Sequence, residues 1–201
     1  MNRRAGLQLT KPELFNAGKA RMTEWCAANA VPVPSVLETE EPTDYDTCAF
    51  YRSNTIYIWV PACAAIGHAG MAWSYPGYVV DRTPYGVLLH ELGHHVEKAH
   101  GARGGIVAAS WLRQTGEKPI TSYAPNPNEW FAEIFRLWVA NPDLLRKIRP
   151  KVAALLDARW KTVEPRSFEE VLAKVPRQLQ AARNKILAAT RPAVLKTRPL
   201  F

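Results

Sequence analysis

HELGHHVEKAH, residues 90–100, holds four of the five histidines of this 201-residue chain. The fold depends on which of them hold something and on what completes the set. The first five letters fit H-E-x-x-H, which on a helix sets His90 and His94 one turn apart, about 40° round the axis, with Glu91 beside them. The flanks support a helix. Thr83 then Pro84 is a capping residue followed by a first-turn proline, Val87, Leu88 and Leu89 supply apolar surface for burial, and Gly101 is a C-terminal stop. Two histidines so placed can hold zinc, yet a catalytic zinc ordinarily takes three protein ligands and leaves its fourth position for water.

Two candidates compete for the third ligand. His100 has the spacing of the H-E-x-x-H-x-x-G-x-x-H motif, but Glu97 stands where that motif needs the glycine that turns the chain back toward the metal. On a helix continuing to Gly101, His100 lies about 80° round and about 15 Å along from His90, so it points away. The other candidate is E129-W-F-A-E133. Two carboxylates four residues apart share a helix face, so one can bind zinc while the other accepts a hydrogen bond from the outer nitrogen of a liganding histidine. Asn126 and Pro127 start that helix, and Trp130, Phe131, Ile134, Phe135, Leu137 and Trp138 make it strongly apolar, where carboxylates are unfavourable unless paired or metal-bound. A surface acid pair favoured by the helix dipole is the plainer alternative. The H-E-x-x-H helix some thirty-five residues earlier weighs against it.

HELGH followed by TSYAPNPNEWFAEIFR resembles the gluzincin metallopeptidases, and within them the anthrax lethal factor catalytic domain and its small, often phage- or prophage-encoded relatives. The likeness covers roughly residues 45–140. It implies an α+β, zincin-like metallopeptidase domain with a small mixed sheet packed on the active-site helix, and a helical C-terminal part. It also implies Zn2+ bound by His90, His94 and Glu129, Glu91 as general base, and Glu133 supporting a ligand. Tyr123 of the TSYA segment corresponds to a tyrosine that helps stabilise the oxyanion, one residue nearer the glutamate than in the family. The family's large substrate-recognition domains are absent from the likeness, so only the reaction class carries over: hydrolysis of peptide bonds in a protein or peptide substrate.

Around this centre, Thr10, Pro12 and Glu13 predict a helix over residues 10–30 opened by a capping box, and VPVPS at 31–35 breaks it into extended chain. CAFYR and TIYIWV on either side of Ser53-Asn54 read as a hairpin or two adjacent strands. Residues 61–78, with His68, Trp73, Tyr75 and Tyr78, read as a long loop that could wall a cleft. His95 is expected to be packed or hydrogen-bonded without a metal role, Asp81 to support the start of the active-site helix or the loop before it, and Cys63 to be a buried thiol.

From Asp143 onward the chain has 14 Lys and Arg against 5 Asp and Glu, which leaves a net charge of −1 to residues 1–142 although the whole carries +8. We therefore divide the chain into a metallopeptidase domain, 1–142, and a basic helical extension, 143–201, packed on it or trailing from it. Such an extension could contact an acidic partner. Without interleaved aromatics, Gly-Arg repeats or a helix-turn-helix, specific nucleic-acid recognition has little support. No apolar run suits a membrane span or a cleavable signal peptide, so a cytoplasmic or phage-associated protein is expected. Three cysteines without C-x-x-C spacing suggest reduced thiols or at most one disulfide. A zinc-stabilised structural or binding protein, such as a phage particle or host-interaction component, is the alternative to the peptidase. It would need the ligands but not the base at position 91.

Overall fold

The spacing T-x-x-E works locally as predicted. Helix α1, Lys11–Ala28, starts where the Thr10 hydroxyl accepts from the Glu13 amide and the Glu13 carboxylate accepts from the Thr10 amide at 2.7 Å. The computed structural model describes residues 10–41, 48–64, 81–100, 110, 113–121 and 127–163. Most of the 61–78 loop, the segment 101–109, Tyr123, the side chain of His100 and the chain beyond 163 lie outside the described residues, together with the expectations placed on them.

The prolines after α1 deliver extended chain. Strand β1, Ser35–Glu38, lies parallel to β3, Thr55–Ile58, and β2, Ala49–Arg52, pairs antiparallel with β3, giving the order β1-β3-β2. The β2–β3 hairpin is closed by Ser53 and Asn54, both in the left-handed region at φ 50° and 62°. Positive φ at both central residues gives the turn the right-handed twist that flanking strands need. Ser53 is there against its steric preference, worth about 1–2 kcal/mol for an L-residue, while glycine would lose about 0.5–1 kcal/mol in backbone entropy. We expect Ser53→Gly to raise the thermal unfolding midpoint slightly, a gain of under about 1 kcal/mol on these magnitudes, and a fall would mean that the serine contributes something beyond the turn.

The apolar pattern downstream makes helices. Helix α2 is Pro84–His100, α3 is Pro127–Ala140, α4 is Pro142–Ile148 and α5 is Pro150–Arg159. Helix α2 lies between α1 and α3 and also carries β2 and β3. Every residue of α3 from Trp130 to Ala140 is buried. That explains why its sequence is apolar nearly all round rather than on one stripe. Trp25 of α1 meets Phe135 and Trp138 of α3 and Trp160 after α5 edge-on, at centroid distances of 4.9, 6.3 and 6.3 Å.

One hydrophobic core runs across residue 142, for Leu145, Val152 and Leu156 join Trp25 and Phe135 in it. Several basic side chains of this region are used internally. Arg149 donates to the Lys118 and Pro119 carbonyls, Lys151 donates to the Thr115 carbonyl, and Arg146 pairs with Asp143 and Asp157. Among the described residues the architecture is therefore α+β with a small three-stranded mixed sheet. No helix among them is long and apolar enough to cross a membrane. All three cysteines are free thiols.

Candidate metal centre

The start of α2 is built as its sequence suggests. The Asp81 carboxylate accepts from the Thr83 amide at 3.0 Å and from its hydroxyl at 2.6 Å, and the Thr83 hydroxyl in turn accepts from the Gly86 amide. From there α2 runs without a break through His100. Its middle is pressed against α3 at a glycine. A Cβ on Gly93 would stand 2.7 Å from the Cα of Ala132 and 3.2 Å from its carbonyl oxygen. Glycine within a helix is unfavourable by about 0.5–1 kcal/mol relative to alanine, so its presence at 93 is explained by the approach of the two backbones. The inner letters of H-E-L-G-H and E-W-F-A-E are in contact, and that contact brings the outer letters together.

His90, His94 and Glu129 each offer a donor atom, and these donors lie within 4.8 Å of one another. Glu129 reaches His90 Nε2 with one carboxylate oxygen at 3.1 Å and His94 Nε2 with the other at 3.5 Å. The imidazoles are nearly perpendicular, 80° apart in plane, with centroids 4.9 Å apart. Donors bound at about 2.0–2.2 Å around a tetrahedral zinc lie roughly 3.3–3.6 Å from one another; the His94 contact at 3.5 Å has that spacing and the His90 contact at 3.1 Å is slightly shorter.

The hydrogen bonding of His90 makes the fit more specific. Its Nδ1 lies 2.8 Å from Glu133 Oε1, an oxygen that can only accept from it when ionised. With the proton on Nδ1, a neutral His90 turns the lone pair of Nε2 toward the Glu129 carboxylate 3.1 Å away. Two acceptors at that distance repel unless a positive charge lies between them, a proton or a metal ion.

Electrostatics give the same picture. Burial by itself would lower the His90 imidazole, but its hydrogen bonds to Glu129 and Glu133, with the charges of Glu133 and Glu91, raise it to about 10. Burial would raise Glu129, yet the hydrogen bonds and charges of His94 and His90 hold it far below the usual carboxylate range. Burial would likewise raise Glu133, and the Arg136 charge and the His90 hydrogen bond outweigh it and hold that carboxyl at about 2. These shifts favour positive charge on the imidazole beside two ionised carboxylates. Two imidazoles with a carboxylate form a donor set suited to zinc, with few protein ligands and room for a water.

Glu91 stands apart from this ligand set. It is buried, and desolvation raises its carboxyl, opposed by the His90 and His94 charges, with Glu129 raising it further. Its shift is set by burial and charge, whereas Glu133 is fixed by hydrogen bonds.

Of the sequence-predicted site residues, the structure brings His90, His94, Glu129 and Glu133 together and sets Glu91 beside them. Tyr123 lies outside the described residues, and so does the side chain of His100. His95 is buried on another side of α2, where its Nε2 donates to the Pro32 carbonyl at 2.9 Å and its Nδ1 lies 3.1 Å from the Tyr51 hydroxyl, tying the helix to the sheet. Cys63 is buried with its Sγ 3.8 Å from the Trp59 carbonyl and does not belong to the cluster.

The sequence reading missed Arg136. Its Nε and Nη2 donate to the two oxygens of Glu133 at 3.1 and 3.2 Å, and it is 3% exposed. The available signal was an arginine three residues after a carboxylate, inside an otherwise apolar helix.

No family model, curated protein or solved structure matches this chain.

Proposed function

We propose that this protein is a zinc-dependent metallopeptidase of the gluzincin type, hydrolysing peptide bonds in a protein or peptide substrate. The single observation that carries the reading is the pairing of His90 Nε2 and His94 Nε2 with one carboxylate, Glu129, from another helix, with the buried Glu91 next to the first histidine. The sequence resemblance to gluzincins, on the same residues, supports it independently of the geometry. A purely structural metal site needs the three donors but has no use for a buried carboxylate at position 91, where charge is unfavourable.

In this reading His90, His94 and Glu129 hold the zinc, which when bound lowers the pKa of a water and polarises a carbonyl. Glu91 takes the proton of the attacking water and passes it to the leaving amine nitrogen, work for which a carboxyl raised by burial is suited. Glu133 holds the His90 ring with Nδ1 protonated, which turns the lone pair of Nε2 toward the donor cluster. Tyr123 is the proposed donor to the developing oxyanion.

Elemental analysis of chains purified without added metal tests the ligand set. One zinc per chain is expected in the wild type and in His100→Ala, and none in Glu129→Ala, with cleavage of unstructured peptides by the zinc-containing samples alone. Retention of zinc by Glu129→Ala would overturn the ligand assignment. Stoichiometric zinc without cleavage of any peptide would favour the zinc-stabilised binding protein instead.

A further inference from the structure

Glu129 and Glu133 are one turn apart on α3, and both reach His90, one at Nε2 and the other at Nδ1. Chemically they are interchangeable, so the amino-acid types do not decide which of them is the ligand. Arg136 breaks the symmetry. It lies one turn beyond Glu133 on the same helix and engages both of its oxygens, Nε to Oε1 at 3.1 Å and Nη2 to Oε2 at 3.2 Å. Oε1 is shared, since it also accepts from His90 Nδ1 at 2.8 Å.

A guanidinium fork on a carboxylate fixes the plane of the group as well as its position. Both partners are almost wholly buried, at 3% and 1% exposure, so water offers neither an alternative partner. The oxygens of Glu129 face His90 and His94, and its side chain is 25% exposed.

We infer that Arg136 is the positioning residue of this centre: by clamping Glu133 it keeps that carboxylate on the outer side of His90, holds the ring with Nδ1 as donor, and leaves Glu129 as the carboxylate that meets the metal. The inference rests on the metal-site reading above and extends it. Arg136 is not one of the donors of the cluster; its hydrogen bonds go to Glu133, through which it acts on His90, while its charge also bears on the buried Asp81 carboxylate. Lysine could supply the charge but not the fork, so it should substitute only in part.

A double-mutant cycle on the full chain tests this, using Arg136→Met, Arg136→Lys, Glu133→Gln and the Arg136→Met/Glu133→Gln pair. The readouts are zinc affinity by chelator competition, the visible spectrum of the cobalt(II)-loaded protein and the thermal midpoint of the metal-free form. Arg136→Met is expected to weaken zinc binding about 10–100-fold, the range found when partners of metal-bound histidines are removed. It should also alter the cobalt bands, and Arg136→Lys should recover part of the loss.

With Glu133 already changed to Gln, the same arginine substitution should alter zinc affinity little, because the route of its action is gone. An equal fold-loss in both backgrounds would mark Arg136 as a general packing residue and overturn the inference, as would wild-type affinity and an unchanged cobalt spectrum in Arg136→Met. Should Arg136→Met not fold, Arg136→Lys carries the same cycle. A wild-type chain that takes up neither zinc nor cobalt overturns the metal-site reading and the clamp with it. Metal uptake with additive losses overturns the clamp alone.

Discussion

Glu91→Gln is expected to abolish peptide cleavage while leaving the zinc in place. General-base catalysis contributes about 10²–10⁴-fold, so kcat should fall by that order, measured on samples matched for zinc content by elemental analysis. The substitution keeps the size and removes only the ability to take a proton. Its effect on stability should run the other way. A carboxyl raised above its ordinary value by burial binds its proton more tightly in the folded chain, so the ionised form opposes folding as pH rises past the unfolded-state value. At neutral pH the uncharged amide escapes that penalty, and the metal-free variant should unfold at the same temperature as the wild type or higher. Activity lost together with stability would point to a damaged fold. Activity within a few-fold of wild type would remove Glu91 as the base.

The second large effect is expected at a residue that touches no metal. Gly93→Val places a branched side chain where a Cβ would already be 2.7 Å from the Ala132 Cα. Backbone cannot yield as a flexible side chain can, so α2 and α3 must separate. Overpacking of this kind typically costs about 1–3 kcal/mol. The helices carry His90 and His94 on one side and Glu129 on the other, so separation also stretches the ligand set, and zinc binding should be largely lost. Pairing Gly93→Ala with Ala132→Gly should rescue only in part, because it removes the Cβ 3.3 Å away and leaves the Cα in place. Zinc content and thermal midpoint of Gly93→Val, of Gly93→Ala and of the Gly93→Ala/Ala132→Gly pair check this, and wild-type zinc in Gly93→Val would refute the claim that this contact sets the site.

Much of this arrangement was legible in the sequence, wherever a local rule had local causes. The capping box at Thr10, the Ser53-Asn54 hairpin, the proline starts of α2 and α3 and the shared face of Glu129 and Glu133 all follow from interactions within a few residues. What stayed hidden depends on distant chain segments. Nothing in SVLE announces that β1 joins β3 in parallel, because that pairing links segments twenty residues apart, Ser35 to Thr55 at one end and Glu38 to Ile58 at the other. Gly93 reads as an unfavourable helix residue until Ala132 is seen beside it. Arg136 reads as a solvent-facing charge until the burial of α3 is known. His95 was expected to be packed or hydrogen-bonded, and it is, although its partners Tyr51 and Pro32 were not predictable from letters forty and sixty residues away.

The crowding around the middle of α2 bears on how freely the chain can vary. From His90 to Glu97 the side chains are buried or, for His94, half-buried, and neighbours claim them on every side. Position 90 serves the donor cluster and Glu133, 93 admits α3, 94 completes the cluster, 95 anchors the sheet, and Leu92 and Val96 fill the core. A stretch with no exposed residue offers drift little room to accumulate. Changes there must come in compensating sets across α2, α3 and the hairpin, whereas the outer surfaces of α1 and α5 can diverge one residue at a time. Two chains of this kind could therefore share the centre while almost nothing else in their sequences agrees.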